Sequence, residues 1–278
     1  MNKTKKAKRV IPGFGLSMGV TVSILSIIVL IPLASLVIYT AQMSWSDFID
    51  TVTSERVVAS YQVSLITAFI ASAINAVMGV ILAWVLVRYK FPGKRILDGM
   101  IELPFALPTA VAGIALTSLT ADTGYIGSFF ARFGISIAYT RVGITFALVF
   151  IGIPFVVRAV QPVLEKLDPV YEEAAGVMGA SRIKIFWKII FPEILPSILT
   201  GFGLAFGRCL GEYGSVIFIG NKPFETEITP LIIMSKLQEF DYKSSTAIAL
   251  VMLAASFLIL FVVNLIQARN SKILKGGR

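Results

Sequence analysis

The chain has no histidine and one cysteine, Cys209, and only 15% of its 278 residues are charged. Each shortage removes a class of function. A single cysteine permits no disulfide within the chain, and without histidine there is no Cys/His metal site. No G-x-x-x-x-G-K-[ST] stretch occurs, so the usual cradle for nucleotide phosphates is missing. Acid–base chemistry would fall to very few groups, which disfavours an intramembrane enzyme. Soluble domains carry about 25% charged residues. This chain is 56% hydrophobic with a mean hydropathy of +0.83, more apolar surface than a water-soluble fold can bury, so it belongs in lipid.

Long uncharged runs locate the lipid-crossing segments: Val10 to Ser46, Val57 to Val87, Leu103 to Ala121, Val142 to Val157 and Ser244 to Ala268. A sixth run, Ile194 to Asn221, is interrupted only by Arg208 and Glu212. A helix needs about 20 apolar residues to cross a bilayer. The pattern predicts an all-α membrane protein with six transmembrane helices, at 14–40 and about 59–87, 97–120, 142–163, 194–220 and 245–267. The fourth reaches full length only if Arg158 snorkels to the interface. The first follows a basic segment, 1–13. It is too long for a signal-peptide core and no A-x-A site closes it, so it is expected to remain as an anchor.

Placing the N-terminus inside puts 18 of the 25 Lys and Arg on the inner side and 6 outside, with Arg208 in the membrane. The positive-inside rule therefore predicts that both termini, including the basic tail 269–278, face the cytoplasm. The same bias explains the net charge of +9 without nucleic acid.

The most polar internal stretch, 164–193, then faces the cytoplasm. Asp168 suits an N-cap, Pro169 the first helical position, and Glu172 and Glu173 the positive end of a helix. Gly179 is placed to stop that helix and Ser181 to cap a second. In the second, Ile183, Phe186, Trp187 and Ile190 share one face, with Lys184 and Lys188 on another. Composition alone describes an interfacial hairpin.

Spacing adds a second reading. Glu173-Ala174-Ala175, then Gly179, Ile189 and Pro192, resembles the EAA loop of ABC importer permeases, with Phe191 where that family usually has Leu. In that family the loop docks a short helix into a groove on a separate ATPase subunit. The resemblance implies a coupling loop formed by Glu172, Glu173, Ala174, Ala175, Gly179, Ile189 and Pro192. Further segments, "ELPFALPTAVAGIAL", "IGIPFVVRAVQPVLE" and "LGEYGSVIFIGN", resemble sulfate/thiosulfate permease subunits of the T type within a permease core at 57–268. The family implies a type I ABC importer permease fold in a bacterial plasma (inner) membrane, a plastid membrane being the alternative. It also implies a second, W-type permease subunit and two ATPase subunits. An extracytoplasmic sulfate/thiosulfate-binding protein would deliver the anion. ATP and magnesium would be bound by the ATPase, leaving this chain without cofactor or catalytic residue. A molybdate/tungstate importer shares the loop and proline pattern. An ion-coupled secondary transporter would call for acids deep in several spans.

In the fifth span, Arg208 and Glu212 stand one turn apart. An unpaired charge there costs ~3 kcal/mol or more, and an i,i+4 pair relieves much of it. They serve either as a structural pair or, with Ser215, as part of an anion path. Gly203, Gly207 and Gly211 repeat every four residues, the pattern of close helix packing. Pro104 and Pro108, beside Glu102, are expected to bend the third span near the path. Ile228 to Met234 forms an apolar patch in the outer loop 221–246, either a re-entrant turn or a surface segment.

Overall fold

The computed structural model describes residues 14–220 and 222–276, with side chains to residue 266; the basic segment 1–13 and the side chains of the tail 269–278 lie outside these. Among the described residues the chain is helical without strands. Its elements are α1 (Phe14–Thr40), α2 (Trp45–Val52), α3 (Glu55–Arg88), α4 (Lys94–Ala106), α5 (Thr109–Thr120), α6 (Gly127–Ala131) and α7 (Arg141–Lys166). They continue with α8 (Pro169–Val177), α9 (Arg182–Ile185), a π-helical turn (Phe186–Ile190), α10 (Phe191–Leu210), α11 (Val216–Ile219), α12 (Thr229–Gln238) and α13 (Tyr242–Gly276).

Three helices, α3, α7 and α10, form the centre. The buried face of α3 is a ladder of small residues: Ser60, Ser64, Ala68 and Ser72 at intervals of four, continued by Ala71, Asn75, Gly79 and Ala83. Without a hydrophobic drive between helices in lipid, small residues let backbones approach and pack. Val156 of α7, fully buried, uses that space: a Cβ at Gly79 would lie 2.7 Å from the Val156 Cβ, and one at Gly201 of α10 would lie 2.8 Å from its Cα. Two of the ladder hydroxyls bond their own helix, Ser60 donating to the Val57 carbonyl and Ser72 to that of Ala68, while Ser64 donates to the Thr229 hydroxyl at 3.1 Å, which offsets the cost of burying them. Two large apolar cores sit along the bundle, one around Phe206, Ile144 and Leu148, the other around Ile194, Val157, Leu86 and Leu164, with a smaller one at Val57, Ile232 and Ile248. Helix α13 packs on α10, α12 and α1, while α1 touches the bundle at the rim and leaves its apolar side chains outward.

Five helical segments are long and apolar enough to cross a membrane, and a bent pair, α4 with α5, makes a sixth if the two count as one span. That pair corrects the expected third span. Residues 97–120 are not one kinked helix: α4 and α5 meet at 114°. Leu107, which precedes Pro108, is extended (ψ 136°), as the proline ring forces on the residue before it, and the helix ends there. The fifth span is also displaced from 194–220. Its helix starts earlier, running from Arg182 through the π turn to Leu210, and it stops before Gly211. In the fourth, α7 continues to Lys166, and Arg158 is held by ion pairs rather than snorkelling free. The apolar patch of the loop 221–246 enters α12, with Thr229, Leu231 and Ile232 buried against the bundle.

Candidate functional site

At one end of the bundle α8 is built as its residues dictate. The Asp168 side chain accepts from the Val170 N–H at 3.0 Å, with Pro169 at the first helical position. The helix ends where Gly179 takes φ +80°, and the Ala180 N–H donates back to the Ala175 carbonyl at 3.0 Å. Ser181 caps α9 through the Lys184 N–H. Ala175 is buried beneath α8, whereas Glu173 and Ala174 face out. Around them Val170, Tyr171, Val177 and Met178 make an exposed apolar face, Val177 and Met178 being 90% and 82% exposed.

The two adjacent acids diverge. Glu172 turns inward and pairs with Nη2 of Arg88, the last residue of α3, while Glu173 stays outside. The Arg88 guanidinium lies over the Trp84 ring at 5.5 Å, and Trp84 meets Phe186 edge-on at 5.7 Å. The expected apolar face of the second helix is divided: Ile190 is buried and Phe186 half-buried, but Ile183 and Trp187 are exposed. The π turn inserts one residue per turn and rotates the face out of register. Ile189 lies in that turn and Pro192 in the first turn of α10, both half-buried.

The inner part of the bundle holds the second group of residues. Arg208 Nη1 meets Glu212 Oε2 at 2.6 Å. Glu212 Oε1 accepts from both the Ser215 N–H (2.9 Å) and the Ser215 hydroxyl (3.0 Å). The carboxylate, fully buried, is thus engaged at both oxygens and stabilises the break between α10 and α11. The Arg208 side chain stays 33% exposed. Pro108 opens α5, which lies against that break: a Cβ at Gly214 would stand 2.2 Å from the Thr109 hydroxyl oxygen. Pro104, in the last turn of α4, completes the elbow. The glycine stripe differs from expectation. A Cβ at Gly203 or Gly207 would meet α13 side chains at 3.8 Å or more, an ordinary contact, and one at Gly211 would meet only the Gly207 carbonyl, at 3.9 Å. Tight approaches occur at other glycines, among them Gly79, Gly113, Gly152, Gly201 and Gly214.

Other pairs had no sequence signal because their members are far apart in the chain. Glu102 finds its cation in Arg158, which also binds Asp98 and Gln161 and so ties α4 to α7. At the end of α3 opposite α8, Arg56 makes a bidentate pair with Glu227, Nε to Oε2 at 2.8 Å and Nη2 to Oε1 at 2.6 Å. Beside it lies a polar cavity of about 260 Å³ lined by Tyr213, Ser235 and Gln238 among others. Ser64 fixes Thr229 of α12 to α3, accepting its N–H at 2.8 Å.

Residues 75–273 match the family described as "Binding-protein-dependent transport system inner membrane component". The "Sulfate transport system permease protein CysT" of Salmonella typhimurium is 51% identical over 264 residues, 95% of each chain. Its namesake from Escherichia coli is 50% identical with the same coverage. A "Probable sulfate transport system permease protein cysT" of Chlorokybus atmophyticus is 44% identical over 92% of this chain and 90% of its own. Among solved structures, a chain of a bacterial alginate ABC transporter superposes with a TM-score of 0.77 at 18% identity, covering 94% of this chain and 96% of that one. A chain of the MetNI methionine ABC transporter gives 0.59 at 17% identity, over 82% and 99%. The fold is therefore that of ABC transporter permeases, proteins that move a solute rather than transform it. The multi-pass helices, the bent third span and the family match over 75–273 agree, and the chain belongs to the binding-protein-dependent transport system inner membrane components.

Proposed function

We propose that this chain is a permease subunit of an ATP-driven sulfate importer, thiosulfate included, and that it supplies half of the anion path. The observation that carries the substrate is the identity of 51% over 95% of the chain with a sulfate permease. Coupling to a separate ATPase subunit is supported by α8. A capped helix that keeps Glu173, Ala174, Val177 and Met178 outside has an apolar face with no partner among the described residues. Both termini lie in the cytoplasm of a bacterial plasma membrane. Two ATPase subunits, a related W-type permease and an extracytoplasmic binding protein complete the machine, with ATP and magnesium on the ATPase. In the path, Arg208 attracts the dianion while Glu212 and Ser215 hold its position, and the elbow at Pro104 and Pro108 shapes the wall beside it.

The deciding experiment is ATP-dependent uptake of labelled sulfate into proteoliposomes holding the complete complex, wild type against Glu173→Lys. Uptake by the wild type, lost in the variant, supports both the importer and the docking helix. Normal uptake by the variant removes the role of α8. Uptake of molybdate in preference to sulfate, with the cognate binding protein, replaces the substrate.

A further inference from the structure

We propose that Arg88 is a positioning residue that fastens the docking helix α8 to α3, so that the two move as one body during the transport cycle. This rests on the reading of α8 as the ATPase-docking helix.

The nine residues of α8 have little backbone contact with the membrane bundle; their principal neighbour is α9. What joins α8 to the bundle is side-chain chemistry. Glu172 reaches Arg88, and the pair is largely shielded, with 25% and 20% of the side chains exposed, so salt weakens it less than a surface pair. Both helix ends favour it. Arg88 closes α3, where the dipole attracts a cation, and Glu172 lies in the first turn of α8, where it attracts an anion. Trp84, one turn back on α3, provides a face for the guanidinium and limits where it can swing. Trp84 also packs on Phe186 at the foot of α10, so Arg88 stands where three elements meet. Of the two neighbouring acids, Glu173 faces the docking side and Glu172 faces the bundle. A displacement applied at the first is delivered to α3 through the second. At its far end the same helix is joined to the segment before α12 by Arg56 and Glu227. One long helix is therefore tied at both ends by arginine–glutamate pairs, one beside the docking surface and one beside the polar cavity of the opposite side.

The test is a double-variant cycle in the assembled complex in proteoliposomes, reading sulfate transported per ATP hydrolysed. Arg88→Ala and Glu172→Ala are each expected to lower that ratio about tenfold, the scale of a coupling between sites. The exchanged pair, Arg88→Glu with Glu172→Arg, is expected to recover most of it. Full coupling in either single variant, or no recovery in the exchanged pair, overturns the proposal and leaves the docking role of α8 standing. Should the alanine variants fail to assemble, Arg88→Cys with Glu172→Cys, bridged by a reducible thiol crosslinker, decides the matter. Transport unchanged by the bridge supports a single moving body. Transport that appears only after reduction overturns it. If Glu173→Lys is itself without effect on the wild-type complex, the docking reading falls and this proposal falls with it.

Discussion

Gly113 of α5 lies against the backbone of Ser215, where a Cβ would stand 2.5 Å from the Ser215 carbonyl oxygen and 2.6 Å from its Cα. Backbone cannot move aside as a flexible side chain can. Gly113→Val is expected to push α5 from the break after α10 and cost about 1–3 kcal/mol of stability. Gly203→Ala, whose new methyl meets Leu260 and Val263 at ordinary distance, is expected to be tolerated. Thermal unfolding of the two purified variants checks the contrast.

Arg208 and Glu212 separate by double substitution. Arg208→Ala alone strands a buried carboxylate, a loss of about 3–5 kcal/mol when a buried pair is broken from one side. Arg208→Met with Glu212→Gln removes both charges and keeps an oxygen for the Ser215 donors. That pair is expected to assemble and unfold like the wild type but to take up sulfate at least tenfold more slowly, since a carrier of anions that loses its membrane cation loses the attraction. Wild-type uptake by the double variant would make the pair structural only.

Val177→Asp places a charge at the C-terminal end of the exposed face of α8, away from its Asp168 N-cap and its Arg88 contact. The ATPase subunit is expected to be lost on co-purification while the permease itself stays folded. Retention of the ATPase would move its footprint off this face.

The Arg158 cluster is graded by partner number. Each of its ion pairs is partly exposed and worth about 1 kcal/mol or less. Glu102→Gln is expected to change stability little, whereas Arg158→Ala frees Asp98, Glu102 and Gln161 together and loosens α4 from α7. Protease access to α4 in membranes distinguishes the two variants.

What was legible in the sequence was local. Asp168, Pro169, Gly179 and Ser181 declare the ends of α8 and α9 because caps act within four residues, and the observed caps are theirs. Uncharged runs point to the long apolar helices, though not to their ends, because hydropathy needs no partner. The break between α4 and α5 was read as a bend, since a proline pair does not state whether the helix resumes along its old axis; the 114° angle is set by how α5 packs on α11. The register of the second loop helix was misread for the same reason: no local pattern announces a π turn. Arg88 with Glu172, and Arg158 with Glu102, lie 84 and 56 residues apart, and only the fold brings them together.

The unbroken run of helix from Arg182 to Leu210 has a mechanical consequence. Twenty-nine residues at 1.5 Å each make a rod of about 43 Å, with its foot beside α8 and its tip at the Glu212 break. A tilt of about 5° at the foot would sweep the tip by roughly 4 Å over that length, on the order of the spacing between the Arg208 guanidinium and whatever it touches. The helix thus has the proportions of a lever, with its foot beside α8 and its far arm ending at the Arg208–Glu212 pair.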